Sequence, residues 1–268
     1  MARQLRMLAG CEMSGRVRDA FAARNWEAWS ADILPSEIPP QRGYTAGESR
    51  YLSLPGARGC HYQGDCRDLF DWYHPVNAER RRQELTMREA PPLWNLFIGF
   101  PPCTDLSLAG ARWWKAKREP RYDENFEEIW SVQDEAAAFF MRMIDAPAAH
   151  VAVENPRGDM NRRYRPPDQT VQPFYFGDPV AKQTGLWLEG LPLLLADNPV
   201  DPGANRVATG GGSWKNDIKN GRKSVSTEDS EGRARRDIVR SRTSLEVARA
   251  MADQWGSYIE EEHGNQGR

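Results

Sequence analysis

The sequence predicts an α/β protein built on one mostly parallel sheet, and three observations predict it. Short apolar runs recur along the chain: "LRMLAG", "WEAWSADI", "CHYQGD", "LWNLFIGF", "HVAVENP", "VQPFYFGDP" and "TGLWLEG". Each is followed by a turn, and several by a segment of helical character. Strand, turn, helix and strand in that succession call for parallel pairing with right-handed crossovers, because a connection of helix length is what returns the chain to the same end of a sheet.

Taken in order, "LRMLAG" is the first strand and Arg16–Arg24 the first helix. "WEAWSADI", "CHYQGD" and "LWNLFIGF" are the next three strands. A longer helix is expected from about Asn125 to Ile144, where "AAAFFMRMI" combines good helix formers with an apolar face. "HVAVENP" is the fifth strand, and two further apolar runs follow it. After Gly190 the chain turns rich in Gly, Ser, Asn and basic residues with weak periodicity, which reads as an irregular insertion. A helical pattern returns from Thr243, with Leu245, Ala248, Met251, Ala252 and Trp255 on one face. That helix is expected to pack back on the sheet, and the tail "EEEHGNQGR" to be frayed. The chain thus divides into 1–190, 191–240 and 241–268.

With 268 residues, 40% of them hydrophobic and 28% charged, there is material for a sizeable core. A formal net charge of −2 does not advertise nucleic-acid binding, so any such surface must come from local clusters of Lys and Arg. The four cysteines, Cys11, Cys60, Cys66 and Cys103, form no disulfide framework, and neither a signal peptide nor a long apolar span is evident. A cytoplasmic protein without membrane contact, a monomer, is the expectation. "CHYQGDC" brings Cys60, His61 and Cys66 together but lacks the second Cys/His pair of a zinc site, so no metal is expected.

Polar turns, several bearing glycine, stand at the ends of the apolar runs: "GCEMSG", "ADILPSE", "GDCRD", "PPCTDLS" and "ENPRGD". In parallel sheets ligands bind beyond the carboxyl ends of the strands, where such turns would lie. Gly10 and Gly15 allow a ligand close to backbone N–H groups at a helix start. Asp32 and Asp65 end the second and third runs, positions that suit ribose hydroxyls as well as helix caps or solvated turns. Cys103 falls just outside its apolar run, in a loop stiffened by Pro101 and Pro102, and Glu154 ends the next. From neighbouring strands the thiol and the carboxyl group would face one cleft. A thiolate adds to an electron-poor ring carbon, and a carboxyl group beside it holds or protonates a ring nitrogen.

In this order and on these strands, "FPPCTDLS" resembles the Pro-Cys nucleophile motif of DNA cytosine carbon-5 methyltransferases, and "VAVENP" resembles their Glu-Asn motif. "LAGCEMSG" is similar to the family's cofactor turn, "FGDPVAKQTGLWL" to its late segment, and "RSRTSLEVARAMADQW" to its closing motif. The likeness is greatest to the short enzymes encoded by bacteriophages. Lys182, Gln183 and Thr184 stand where that family usually has arginines. The resemblance implies a Rossmann-like methyltransferase fold and catalysis by Cys103, Glu154 and Asn155. It implies S-adenosylmethionine bound by Gly10, Cys11, Glu12, Ser14, Gly15, Asp32, Ile33, Asp65, Cys66, Pro101 and Thr243. Residues 1–190 would hold the catalytic and cofactor-binding body, 191–240 the target-recognition insertion and 241–268 the returning helix.

Double-stranded DNA is the implied partner. Its contacts are expected from Arg112 and Lys115 in "GARWWKAKR", from Arg157 and Lys182, and from Trp214, Lys215, Arg222, Arg235, Arg236, Arg240 and Arg242 in and beside the insertion. The cytosine would be flipped out of the duplex to reach Cys103. Rival readings are a dinucleotide oxidoreductase, which lacks the G-x-G-x-x-G spacing, and a DNA-binding module without turnover. Others are a relative acting on free pyrimidine nucleotides or transferring a group other than methyl.

Overall fold

The computed structural model describes residues 4–45, 59–70, 94–125, 128–203 and 242–266. Ten strands are found among them: β1 (Arg6–Gly10), β2 (Glu27–Asp32), β3 (Arg42–Thr45), β4 (Gly59–Gln63), β5 (Trp94–Gly99), β6 (Arg121–Tyr122), β7 (Glu128–Ile129), β8 (Ala148–Asn155), β9 (Gln169–Val171) and β10 (Thr184–Glu189). The helices are α1 (Arg16–Ala23), α2 (Trp114–Lys117), α3 (Val132–Ile144), α4 (Met160–Arg163) and α5 (Leu245–Gln266). Short 3-10 segments run over Cys66–Phe70, Leu108–Trp113 and Pro173–Tyr175.

Eight strands form one sheet in the order β3-β4-β2-β1-β5-β8-β10-β9. Every pairing from β3 to β8 is parallel, and β10 alone runs the other way, antiparallel to both β8 and β9. This is the Rossmann-like α/β architecture, with a mostly parallel central sheet, that the sequence led us to expect. The strand order steps outward in both directions from β1, so the carboxyl ends of β1, β2, β4, β5 and β8 share one edge, and the switch point between the β1 and β5 ends is where sheets of this kind form their ligand crevice.

Alternation along the strands sends their side chains to two faces. One face buries Leu8, Trp29, Phe97, Val151, Val153 and Trp187 against α3. The other buries Met7, Ala9, Leu96, Ile98, Ala152 and Leu186 against α1 and α5. Helix α5 is joined to α1 by Arg24, which pairs with Glu260 at 2.7 Å, and to the end of α1 by Trp26, whose Nε1 donates to Glu260 Oε1 at 2.8 Å. The returning helix therefore packs on the sheet beside α1 and is pinned to it.

Several local expectations are corrected. The long helix begins at Val132 rather than near Asn125, because Glu128–Ile129 pairs back on Arg121–Tyr122 and Ser131 caps the helix by accepting from the Asp134 N–H at 3.2 Å. Of "VQPFYFGDP" only Val171 is in a strand, as the last residue of the three-residue β9, since Pro173 opens a 3-10 turn in place of further ladder bonds. Leu245 is 41% exposed in the first turn of α5, whereas Ala248, Met251, Ala252 and Trp255 are buried as expected. Helix α5 continues to Gln266, well into the tail expected to fray. The edge strand β3 carried no readable signal in "RGYT".

Candidate active site at the carboxyl edge of the sheet

The turn after β1 is shaped by two residues with positive φ, Cys11 at 57° and Gly15 at 77°. A side chain at Gly15 would be strained there, and its Cβ would come within 2.6 Å of the Arg18 guanidinium. Glu12 is only 3% exposed; its carboxyl accepts from the Ser14 hydroxyl and, at 3.1 Å, from the Gly15 N–H. Burial pushes the Glu12 carboxyl up from its ordinary value, against the opposing pull of those hydrogen bonds and of Arg18. Arg18 is fully buried and satisfied by Asp19, Ser30, Ser36 and the Ile38 carbonyl, which pins the loop after β2.

Asp32 ends β2 and accepts from the Leu34 N–H at 2.9 Å; burial raises its carboxyl as well. Ile33 beside it is 75% exposed. Asp65, after β4, is gripped by Arg67, with Nη2 at 2.5 Å, and this partner holds its carboxyl below the usual range. Cys66 is buried, and its thiol hydrogen-bonds that of Cys11, across the gap between the ends of β1 and β4. That bond first, and burial next, push the Cys11 thiol well above its ordinary value, so it stays neutral. His61 is committed elsewhere: Nε2 donates to the Leu34 carbonyl at 3.1 Å and Nδ1 accepts from Ser30 at 2.9 Å. Among the described residues no cluster of His, Cys, Asp or Glu could hold a metal ion.

On the other side of the crevice, β5 and β8 lie side by side with Gly99 opposite Val153. Glu154 is thus the first residue past the pairing on β8, and Cys103 stands four residues past it on the β5 side. Cys103 is exposed. Its carbonyl accepts from the N–H groups of Leu106 and Ser107 at 3.2 and 2.8 Å, so the cysteine opens a tight helical turn. The two loops are laced together. Asn155, 1% exposed, donates its amide to the Pro101 carbonyl at 2.9 Å. Leu108 N–H donates to the Arg157 carbonyl at 3.1 Å, Asp159 N–H donates to the Leu106 carbonyl at 2.7 Å, and Ser107 bridges Gly158. A Cβ at Gly158 would fall 1.9 Å from the Leu106 carbonyl oxygen.

Ion pairs brace this lacing from behind. Lys117 binds Asp105 at 2.6 Å and the Thr104 carbonyl at 2.8 Å, which ties α2 to the cysteine loop. Arg118 binds Asp159 at 2.8 Å and also Gln133 Oε1, while Arg163 reaches Asp159 from α4. Asp159 is buried, so these pairs are shielded from water more than surface pairs are. Glu154 Oε1 accepts a hydrogen bond from the Thr184 hydroxyl at the start of β10.

The structure brings the expected residues to one edge: Gly10, Cys11, Glu12, Ser14, Gly15, Asp32, Ile33, Asp65, Cys66, Pro101, Cys103, Glu154 and Asn155 all occupy the ends of β1, β2, β4, β5 and β8 or the turns directly after them. Thr243 joins from the far end of the sequence, its carbonyl accepting from Arg16 at 2.7 Å. Lys182 donates to the Arg242 carbonyl at 3.3 Å, and Arg242 pairs with Glu37 at 2.6 Å, so the segment before α5 is tied to the approach to β10 and to the loop after β2. Lys115 and Arg157 are exposed, and Trp113 is 56% exposed, which removes that tryptophan from the core. Trp214, Lys215, Arg222, Arg235, Arg236, Arg240 and the Arg112 side chain lie outside the described residues. Sequence reasoning missed the roles of Thr184, Gly158 and Asp159. The last two stand in "NPRGDM", where a Gly-Asp pair reads as an ordinary turn.

No protein-family model matches the chain, and no curated protein matches it. One solved structure that it resembles is described as a DNA modification methyltransferase encoded within an E. coli prophage, with 14% identity and a TM-score of 0.36. The overlay takes in 69% of this chain and 46% of that one, so the chain spans about half the length of the protein it matches. An overlay at that level carries no inference about activity.

Proposed function

We propose that the protein is an S-adenosylmethionine-dependent DNA cytosine carbon-5 methyltransferase acting through a covalent adduct of Cys103. The observation that supports this most is the lacing of the Cys103 and Glu154 loops, through Asn155 to Pro101 and Asp159 to Leu106, at the ends of adjacent parallel strands. A nucleophile and an acid-base group held on separately braced loops need such ties to keep a common geometry about one substrate.

The turn on the opposite side suits the cofactor. The positive φ of Gly15 turns the chain from the end of β1 into α1, and the Glu12 and Asp32 carboxyls match a ligand that carries positive charge on a sulfonium and an ammonium group together with ribose hydroxyls. When bound, S-adenosylmethionine supplies an electrophilic methyl group. Asp65 would meet the ligand only while sharing its carboxyl with Arg67.

Cys103, as thiolate, attacks carbon 6 of a flipped cytosine while Glu154 holds the N3/N4 edge, and carbon 5 becomes the nucleophile for methyl transfer. Loss of the carbon-5 proton then expels the thiolate. Asn155 keeps the Pro101 carbonyl, and with it the proline-stiffened loop, in register. Lys115, Arg157 and the basic residues of 191–240 neutralise phosphates, with 1–190 and 241–268 as the catalytic body. The enzyme acts on double-stranded DNA as a monomer.

The test is a duplex in which one cytosine is replaced by 5-fluoro-2′-deoxycytidine, incubated with protein and S-adenosylmethionine. A denaturation-stable protein–DNA complex, absent for Cys103→Ser, is expected. No such complex with any cytosine context offered, together with no methylated nucleoside by mass spectrometry, would overturn the reading.

A further inference from the structure

We infer that Thr184 is a positioning residue for Glu154, and that its hydroxyl lets the carboxyl group act in both protonation states. The inference rests on the reading of Glu154 as the group that grips the pyrimidine edge.

The geometry comes from the ladder. On the antiparallel pair β8–β10, Leu186 lies opposite Glu154 and Gly185 opposite Asn155. Thr184, two residues from Leu186, is therefore on the same face of the sheet as Glu154, as its diagonal neighbour. The backbone of Thr184 is fixed on its other side by pairing with Val171 of β9. A β-branched side chain has few rotamers, and Thr184 is only 8% exposed, so its hydroxyl is delivered from a rigid base. It donates to Glu154 Oε1. Among the described residues Glu154 has no cationic partner, and its Oε2 makes no hydrogen bond. One oxygen is thus held, and the other is left for substrate.

The chemical consequence follows from the kind of donor. A guanidinium or ammonium partner would favour only the ionised carboxylate. A hydroxyl is neutral, and both donates and accepts. With the proton on Oε2, Glu154 can pass it to N3 of the pyrimidine as the Cys103 thiolate forms its bond to carbon 6. The carbon 5–carbon 6 π pair then moves toward carbon 5, the ring nitrogen carries the proton, and Glu154 becomes a carboxylate. The Thr184 O–H remains aimed at Oε1 throughout, and its hydrogen bond strengthens as negative charge develops there. When the thiolate leaves, the proton returns to Oε2. Thr184 thus acts through Glu154 without touching the base.

The experiment measures the rate of covalent capture on the 5-fluoro-2′-deoxycytidine duplex for wild type, Thr184→Val, Thr184→Ser, Glu154→Gln and the Thr184→Val/Glu154→Gln double variant. Calorimetric titration with S-adenosylhomocysteine and a melting curve accompany each. Valine keeps the branched shape and removes only the hydroxyl. Capture is expected to slow by about 10- to 100-fold in Thr184→Val, the worth of one hydrogen bond to a charged group, with affinity for S-adenosylhomocysteine unchanged. Serine should restore most of the rate. In the Glu154→Gln background the valine substitution should add little, because its effect passes through the missing carboxyl. Capture by Thr184→Val at the wild-type rate would overturn the inference, as would a valine effect that adds in full to that of Glu154→Gln or a serine variant as slow as valine. Should the valine variant not fold, Thr184→Ala carries the same comparison. Failure of the wild type to capture the duplex at all is a different result and tells against the methyltransferase reading itself.

Discussion

Asn155 donates its side-chain amide to the carbonyl of Pro101 at 2.9 Å, joining the last residue of β8 to the loop that carries Cys103. The bond crosses from one parallel strand to the next at the mouth of the crevice, and Asn155 is almost wholly buried. Its loss would leave a carbonyl in the Cys103 loop unsatisfied. Asn155→Leu should destabilise the fold by about 1–3 kcal/mol, the usual cost of a buried unpaired group, and slow covalent capture more than it weakens S-adenosylhomocysteine binding. Equal losses in both would assign Asn155 to general stability only. The checks are denaturant melts and the capture assay.

Gly158 is the second tie. No atom can stand 1.9 Å from the Leu106 carbonyl oxygen, so Gly158→Ala must push the two loops apart. The expected outcome is a folded protein with its cofactor affinity kept and its capture rate sharply reduced. Hydrogen exchange should show faster exchange at the Leu108 and Asp159 amides, which bond across the seam.

Glu154→Gln keeps the shape and loses the transferable proton. Turnover should fall by about 10²–10⁴, the range typical of general acid-base groups, with S-adenosylhomocysteine affinity unchanged. Cys103→Ser should abolish turnover and also spare cofactor binding. Steady-state kinetics and calorimetry on both variants test this directly.

Glu12 gives a pH signature. Burial raises its carboxyl above the unfolded value of 4.5, so the folded protein binds more protons than the unfolded one between those two values. Its contribution to stability is therefore full below 4.5 and is lost as pH rises through the folded value. Glu12→Gln, which cannot ionise, should melt later than wild type at neutral pH, with the gap closing toward pH 4.5. The same variant should bind S-adenosylhomocysteine more weakly. A gap that widens toward acid would reverse the sign and refute the assignment.

Asp65 is bound to Arg67 in a fork, at 2.5 Å to one nitrogen and 3.0 Å to another. Asp65→Ala removes a carboxyl and releases a guanidinium at the cofactor side together. S-adenosylhomocysteine affinity should fall, and Arg67→Ala should fall less or not at all. Matched losses would mean that the ion pair, rather than the carboxyl, is what the ligand needs.

The sequence by itself determined the alternation of strands and turns, and with it the one sheet edge to which Gly10, Asp32, Asp65, Cys103 and Glu154 all come. Period-two burial and polar strand ends are local signals, and parallel connections leave little freedom in where the carboxyl ends go. Tertiary structure alone decided how those turns are held. The Ser131 cap and the β6–β7 pair moved the start of α3, a choice between two local structures that composition leaves balanced. Gly158 against Leu106, Asp159 on Arg118, and Thr184 on Glu154 join residues far apart in the chain. No spacing rule announces such contacts, because each depends on register between neighbouring strands and on the direction of a single side chain.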